Sequence, residues 1–201
     1  PKKKESMAIY QTFLQHIIFS LKPDGKAAVV VPSGFITAHS GIDKKIRQKL
    51  VDDKMLRGVI SMPPNIFATT DTSVSILFID KTNKEDLVLI DASSLGRKVK
   101  EGKKKKTLLS KKDEAQIIDT FSKKKVIDDF SVVLSYEDIA AKKYSFSAGQ
   151  YFDIKINYTE ISKNEFKLKI ESHQKFIKKS FEESKKIESE IFKKLSQIKY
   201  E

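Results

Sequence analysis

The sequence predicts an α/β fold followed by a helical C-terminal tail. Helical and strand patterns alternate over the first part of the chain, and one of the strands is the unbroken apolar run Ala27–Val31. From Phe166 to Ile198 there is no glycine or proline, and the positions at alternating four- and three-residue steps carry apolar residues interrupted by polar ones. That recurrence is typical of one long helix. With 201 residues, the chain can form one globular domain with an appendage.

The first helix is predicted over Met7–Leu21, because four apolar residues follow one another at four-residue spacing. They are Ile9, Phe13, Ile17 and Leu21. The run Ala27–Val31 is expected to be a strand buried on both faces of a parallel sheet, since it contains no polar residue. Pro32-Ser33-Gly34 is expected to end this strand.

A second helix is predicted after Ser40, which can act as its N-cap. Its inner face would carry Ile42, Ile46 and Leu50. Three further strands are predicted over Arg57–Met62, Ser73–Asp80 and Leu87–Ala92. The first two are joined by a polar linker, Pro63–Thr72. The pattern is that of half of an α/β sheet.

Seven of the ten residues from Arg97 to Lys106 are Lys or Arg, which favours a mobile, solvated loop. Such a cluster suits contacts with DNA phosphates, although a flexible loop without a defined partner fits equally well. The candidate phosphate contacts are Arg97, Lys98, Lys100, Lys103, Lys104, Lys105 and Lys106. Downstream, Ser110 with Asp113 and Ser135 with Asp138 have the spacing of helix capping boxes.

The charge balance points to an anionic partner. The chain has 39 Lys and Arg against 27 Asp and Glu, a net charge of +12. No stretch is long and apolar enough to cross a bilayer, so nucleic acid is the first candidate. An AT-rich genome that encodes lysine often explains the excess as well. The absence of cysteine excludes disulfides and thiolate metal sites, and three scattered histidines do not predict a zinc site. Without a visible signal peptide, a cytoplasmic location is expected.

Several segments together carry a family resemblance. FLQHIIFSLKPDGKAAVVVPSGF (Phe13–Phe35) is followed by VISMPPNIF, TSVSILFIDK, LIDAS and, near Tyr151, SAGQYF. In this combination, over residues 7 to 152, the chain resembles the modification (M) subunits of type I restriction systems. Those subunits are N6-adenine DNA methyltransferases of the gamma arrangement.

The resemblance implies the C-terminal half of a Rossmann-like methyltransferase sheet with a β-hairpin. It also implies transfer of a methyl group from S-adenosylmethionine to an adenine flipped out of the duplex. In this family the cofactor loop and the catalytic Asn/Asp-Pro-Pro-aromatic loop precede the Phe13 helix. Both are therefore expected upstream of Pro1, and the isolated chain is expected to be inactive. The predicted organisation is half of the catalytic domain (1–95), a basic loop with connecting helices (96–152) and a tail for subunit assembly (153–201).

The target-base residues implied by the resemblance are Phe67, Pro32 and Ser33. Phe67 matches the aromatic that stacks on the flipped adenine, and the alternative for it is a buried hairpin anchor. Pro32 and Ser33 end the apolar strand and would line the base pocket, or form only a turn. The pair Pro63-Pro64 is not assigned to the catalytic loop, because Met62 before it offers no amide or carboxylate and Asn65 after it cannot stack.

His16 and His39 could face DNA, but hydrogen-bonded structural histidines are the more frequent case. The expected partners are double-stranded DNA, a specificity (S) subunit, a second M subunit and a restriction (R) subunit. The helical tail is the candidate contact with the S subunit, and the alternative is a lysine-rich cap on the chain's own core. A function from another class also remains open, namely a non-catalytic basic module for DNA binding or assembly.

Overall fold

A computed structural model describes residues 7–67, 72–101, 104–153 and 161–197. It confirms the predicted α/β fold with a C-terminal helix. The chain divides into two compact units, of which the first ends at Asp153. The helices are α1 (Ile9–Ser20), α2 (Ser33–Thr37), α3 (Gly41–Asp52), α4 (Lys111–Ser122), α5 (Tyr136–Ala141) and α6 (Lys163–Leu195). The strands are β1 (Lys26–Pro32), β2 (Leu56–Ser61), β3 (Val74–Asp80), β4 (Leu87–Asp91), β5 (Arg97–Glu101), β6 (Lys104–Leu108) and β7 (Ser131–Leu134).

Five strands form one sheet in the order β1-β3-β2-β4-β7. Only β2 and β4 pair in parallel, and every other neighbouring pair in this sheet is antiparallel. The expected parallel sheet is therefore mostly antiparallel. The reason is that β3 returns between β1 and β2, where the sequence pattern shows only that it is a strand.

Each face of the sheet has its own hydrophobic core. The larger core lies under α1, α2, α3 and α5 and includes Leu14, Phe35, Leu50, Leu77 and Ile139. The smaller core lies under α4 and includes Ile60, Val88, Ile90 and Ile117. Phe121 of α4 packs on Phe78 of β3 in the smaller core, with the ring centroids 4.4 Å apart.

Strand β1 is not buried on both faces, so that expectation was wrong. Val29 and Val31 pack into the larger core, but Ala28 and Val30 on the other face are exposed, and Val30 keeps 49% of its surface accessible. Strand β1 is the last strand of the sheet, and α4 covers the opposite end of that face. An apolar run identifies a strand, but it does not show that both faces are covered.

The four-residue spacing in α1 also misidentified part of the buried face. Ile9 and Phe13 are 76% and 62% exposed, whereas Leu14 and Ile18 are buried. Four residues turn an α-helix by about 400°, so each step moves about 40° around the axis. Residues at four-residue spacing therefore wind around α1, and Ile9 and Phe13 face away from the core.

The strands β2, β3 and β4 confirm the predicted runs. Gly58 in β2 is required by close packing, because a Cβ atom there would lie 2.4 Å from the carbonyl oxygen of Val88. The capping boxes at Ser110 and Ser135 are present, and each serine side chain accepts a hydrogen bond from a backbone N–H three residues later. Ser40 is the N-cap residue of α3, but its side chain makes no capping hydrogen bond.

The basic segment predicted to be a mobile loop is a β-hairpin, which we call the basic ribbon (β5 and β6). Arg97 pairs with Leu108, and Lys100 pairs with Lys105. A high density of lysine predicts a solvent-exposed segment. It does not show whether the backbone pairs as a hairpin or whether a buried residue holds the base of that hairpin. Lys103 lies outside the described residues.

A buried arginine joins three segments of the first unit. Arg47 on α3 has 1% of its surface exposed. Its Nε–H donates to the carbonyl oxygen of Tyr144 at 2.7 Å, and its two terminal nitrogens donate to the carbonyl oxygens of Phe35 and Ala38. Burial lowers the pKa of the guanidinium, partly offset by the nearby Asp43 carboxylate. Arg47 thus satisfies carbonyls in α2, at the C-terminal end of α2 and after α5.

In α6 none of the residues is buried, and ten large apolar side chains are exposed. No helix within the described ranges combines the length and apolarity needed to cross a membrane.

Replacing Arg47 by alanine is expected to lower the free energy of unfolding by about 3 kcal/mol or more, because buried carbonyls lose their donors. Urea unfolding measures this. The control is Lys49→Ala, which removes an exposed ion pair with Asp53 on the same helix and should change stability by about 0.5 kcal/mol or less. Equal losses in both variants would contradict the role of Arg47.

Asp80 makes stability depend on acid pH. Burial alone raises the pKa of its carboxylate, but hydrogen bonds from Thr82 and an ion pair with Lys26 at 3.0 Å outweigh burial and lower it. The stabilisation is therefore present above the unfolded-state pKa of about 3.9 and is lost as pH falls through the lower folded-state value. Urea unfolding should show Asp80→Asn less stable than the parent near neutral pH, with the difference shrinking in acid. A difference independent of pH would exclude this linkage.

Candidate functional site

Three strands end at one edge of the sheet. Strands β1, β2 and β4 run in the same direction, and hydrogen bonds connect the segments that follow them. The N–H of Ser33 donates to the carbonyl of Ser73 at 3.0 Å, and that of Met62 donates to Val74 at 3.0 Å. The N–H of Ala92 donates to Ser61 at 2.9 Å. In open α/β sheets the carboxyl ends of strands are where ligands bind.

Pro32 and Ser33 lie on this edge, as the sequence predicted. Pro32 is the last residue of β1 and pairs with Val74, and Ser33 begins α2 directly afterwards. Both are partly buried. They therefore form a fixed wall beside the first residues of β3.

Phe67 follows β2 on the same edge and is 47% exposed. A hairpin anchor would be buried, whereas a stacking residue must present its ring. Thr69, Thr70 and Asp71, which the sequence places next to Phe67, lie outside the described residues.

The segment before Phe67 is held by packing and by backbone geometry. Pro63 is buried, and Asn65 has a left-handed φ of +57°. The Oδ1 atom of Asn65 is buried without a hydrogen-bond partner in the described parts of the chain. Pro63-Pro64 is thus a structural support for the segment that leads to Phe67, which we call the Phe67 loop.

The basic ribbon is attached to this loop through Thr107. Its backbone N–H donates to the carbonyl oxygen of Asn65 at 2.9 Å, and its hydroxyl donates to that of Pro64 at 2.6 Å. Thr107 is buried. Gly96 has a φ of +81°, and a Cβ atom there would lie 2.8 Å from the Thr107 side chain. A tight turn and one threonine therefore place the ribbon beside the Phe67 loop.

Sequence reasoning missed Thr107. Its only signal is a β-branched residue at the end of a lysine run, in a position where alternation would turn it inwards. Of the two histidines, both are exposed, and neither forms a hydrogen bond with a residue in the described ranges. The structural role favoured for His16 and His39 thus has no supporting contact.

The described residues do not form a glycine-rich cofactor cradle. Such a cradle needs a turn from a strand into the N-terminus of a helix. Among the described strands that end on this edge, only β1 leads into a helix, and that helix, α2, has five residues, one of which is Gly34. The segments after β2 and β4 lead to strands. These residues therefore do not fit a S-adenosylmethionine site.

Residues 1–157 match the model of the N-6 DNA Methylase family. The MpnII methylase subunit of a type I restriction enzyme from Mycoplasma pneumoniae is 31% identical over 175 residues, which cover 86% of this chain and 30% of that subunit. The MjaIX methylase subunit from Methanocaldococcus jannaschii is 24% identical, over 89% of this chain and 33% of that subunit.

A solved structure supports the same assignment. The methyltransferase subunit of a type I restriction-modification system from Streptococcus thermophilus matches with a TM-score of 0.66 and 27% identity. The match covers 75% of this chain and 31% of that one. The chain thus spans about a third of the length of these relatives. Because the family match covers most of the chain, the chain belongs to the N-6 DNA methylase family, and it is similar to the methylase subunits of type I restriction enzymes.

Proposed function

We propose that this chain supplies the target-base side of an adenine-specific DNA methyltransferase of a type I restriction-modification system. The observation that carries the proposal is Phe67, whose ring is half exposed at the carboxyl edge of the sheet in a member of the N-6 DNA methylase family. Pro32 and Ser33 end a neighbouring strand on that edge.

The chemistry requires a base outside the helix, because the exocyclic nitrogen of adenine cannot be reached within the stack. An exposed phenylalanine holds such a base by stacking, which contributes about 1–3 kcal/mol and needs no hydrogen bond. The rigid wall at Pro32 and Ser33 limits where the base can lie. Methyl transfer then depends mainly on positioning and electrostatic stabilisation.

S-adenosylmethionine, the methyl donor implied by the family, is assigned to parts of the subunit outside this chain, as is the catalytic Asn/Asp-Pro-Pro-aromatic loop. Two features of β1 support the assignment. Among the described residues no strand pairs with its outer edge, and Val30 leaves an apolar surface uncovered. A preceding part of the same subunit would extend the sheet at this edge.

The helix α6 is the proposed contact with the S subunit. Its exposed apolar residues include Phe166, Ile170, Ile177 and Ile191, which lie on one stripe of the helix. A helix with such a stripe and no buried residue needs a partner. A second M subunit and the R subunit complete the proposed assembly, with double-stranded DNA as the substrate.

In the full methyltransferase complex, Phe67→Ala should weaken capture of the flipped base by about 5- to 150-fold, the range that corresponds to 1–3 kcal/mol. The measurements are the methylation rate and the fluorescence of 2-aminopurine placed at the target adenine. Phe67→Tyr keeps a stacking ring and is the matched control, which should retain most of both signals. If Phe67→Ala folds and methylates like the parent, Phe67 does not hold the base.

The chain alone should not bind S-adenosylmethionine, because its described residues form no cofactor cradle. Calorimetry of the chain and of the full subunit under the same conditions tests this, and only the full subunit should release or absorb binding heat. Tight binding by the chain would show that the cofactor site has been assigned to the wrong part. A full subunit that binds no cofactor would favour the non-catalytic DNA-binding module.

A further inference from the structure

The two faces of the basic ribbon differ. Residues directly opposite each other in an antiparallel pair project to the same face. Lys98 lies opposite Thr107, and Lys100 lies opposite Lys105, so these four side chains share one face. We call it the lysine face. The opposite face carries Arg97 with Leu108 and Val99 with Lys106.

The lysine face is the one attached to the Phe67 loop. Thr107, at its base, is buried and donates its hydroxyl to the carbonyl of Pro64. The three lysines of this face, Lys98, Lys100 and Lys105, are exposed. None of the three forms an ion pair with a residue in the described parts of the chain.

The register places Lys100 and Lys105 unusually close for like charges. The N–H of Thr107 points away from β5, towards Asn65, so Lys98 and Thr107 form a non-hydrogen-bonded pair. Two residues further along, Lys100 and Lys105 do so again, with Cα atoms about 4.5 Å apart. Like charges directly opposite each other destabilise a hairpin. A bound anion would remove this repulsion.

Chain geometry limits the distance between the lysine face and the base site. Asn65 is two residues from Phe67, and Lys105 is two residues from Thr107. Asn65 and Thr107 are joined by a hydrogen bond and lie about one interstrand spacing apart. The Cα atoms of Phe67 and Lys105 are therefore separated by at most about 20 Å. DNA advances about 3.4 Å per nucleotide along one strand, so this reach corresponds to about six nucleotides.

We propose that Lys98, Lys100 and Lys105 bind the DNA phosphates that flank the flipped adenine, and that Thr107 positions the ribbon for this contact. The inference rests on the proposed function and narrows it, because only one face of the ribbon touches DNA. The contact is independent of sequence, since phosphates carry no base information. It holds the duplex while the base leaves the stack.

The test compares two double variants in the full methyltransferase complex. Lys100→Gln with Lys105→Gln removes two charges from the lysine face, and Arg97→Gln with Lys106→Gln removes two charges from the opposite face of the same ribbon. The probe is a duplex of arbitrary sequence and about 30 base pairs, titrated at several salt concentrations. The slope of log K against log salt should become shallower by about 1.8 in the first variant and remain near the parent value in the second.

Equal changes in the two doubles would overturn the proposal, because they would reflect net charge alone. The proposal would also be overturned if the lysine-face double kept the parent slope and the complex lost a subunit. That result would assign the lysine face to a protein partner. The salt titration measures DNA affinity and does not require methyl transfer. Its outcome is therefore independent of the outcome of the Phe67 experiment.

Phosphate ethylation interference on a duplex that the complex methylates tests the location. Ethylation within about six nucleotides of the target adenine should interfere with binding of the parent and not of the lysine-face double. Thr107→Val, which removes the hydroxyl, should weaken this local interference, and Thr107→Ser should restore it. Interference confined to distant phosphates would exclude the proposed position.

Discussion

The first unit depends on one buried guanidinium. Arg47 lies within the larger core and donates to backbone carbonyls from the α2 region and from the segment after α5. Its ring neighbours, Phe35 and Phe146, lie with their centroids 5.8 Å from the guanidinium carbon. The guanidinium is planar and carries five donors in a fixed fork, so it can reach carbonyls in several defined directions, whereas the ammonium of lysine is a compact group with three donors. This contact holds the C-terminal part of α2, the helix that begins at Ser33.

Much of the fold could be predicted from local patterns. The apolar runs located β1 to β4, and the serine capping boxes located the starts of α4 and α5, because each of these signals acts within a few residues. Strand order and coverage could not be predicted that way. The return of β3 between β1 and β2, and the exposure of Val30, depend on contacts between residues far apart in sequence.

The candidate site was predicted in its residue types more than in its arrangement. Pro32, Ser33 and Phe67 lie on one edge of the sheet because β1 and β2 run in the same direction, and that direction depends on how both strands pair with β3. The sequence predicts a mobile loop where the ribbon lies, because the high density of lysine is a stronger signal than the weak polar–apolar alternation around Thr107. Two hydrogen bonds from a single threonine decide its position, and no composition argument detects them. The attachment of the ribbon at this edge therefore depends on one small residue in a charged segment.

The outer edge of β1 has a consequence for handling the protein. Within the described residues no strand pairs with this edge, and a strand edge of this kind with exposed valine and alanine side chains is a template for another strand. When the chain is produced alone, two copies can pair edge to edge through β1. The net positive charge of each copy opposes this pairing, and salt screens that repulsion. Self-association of the isolated chain should therefore increase with salt, whereas the proposed binding of DNA phosphates should weaken.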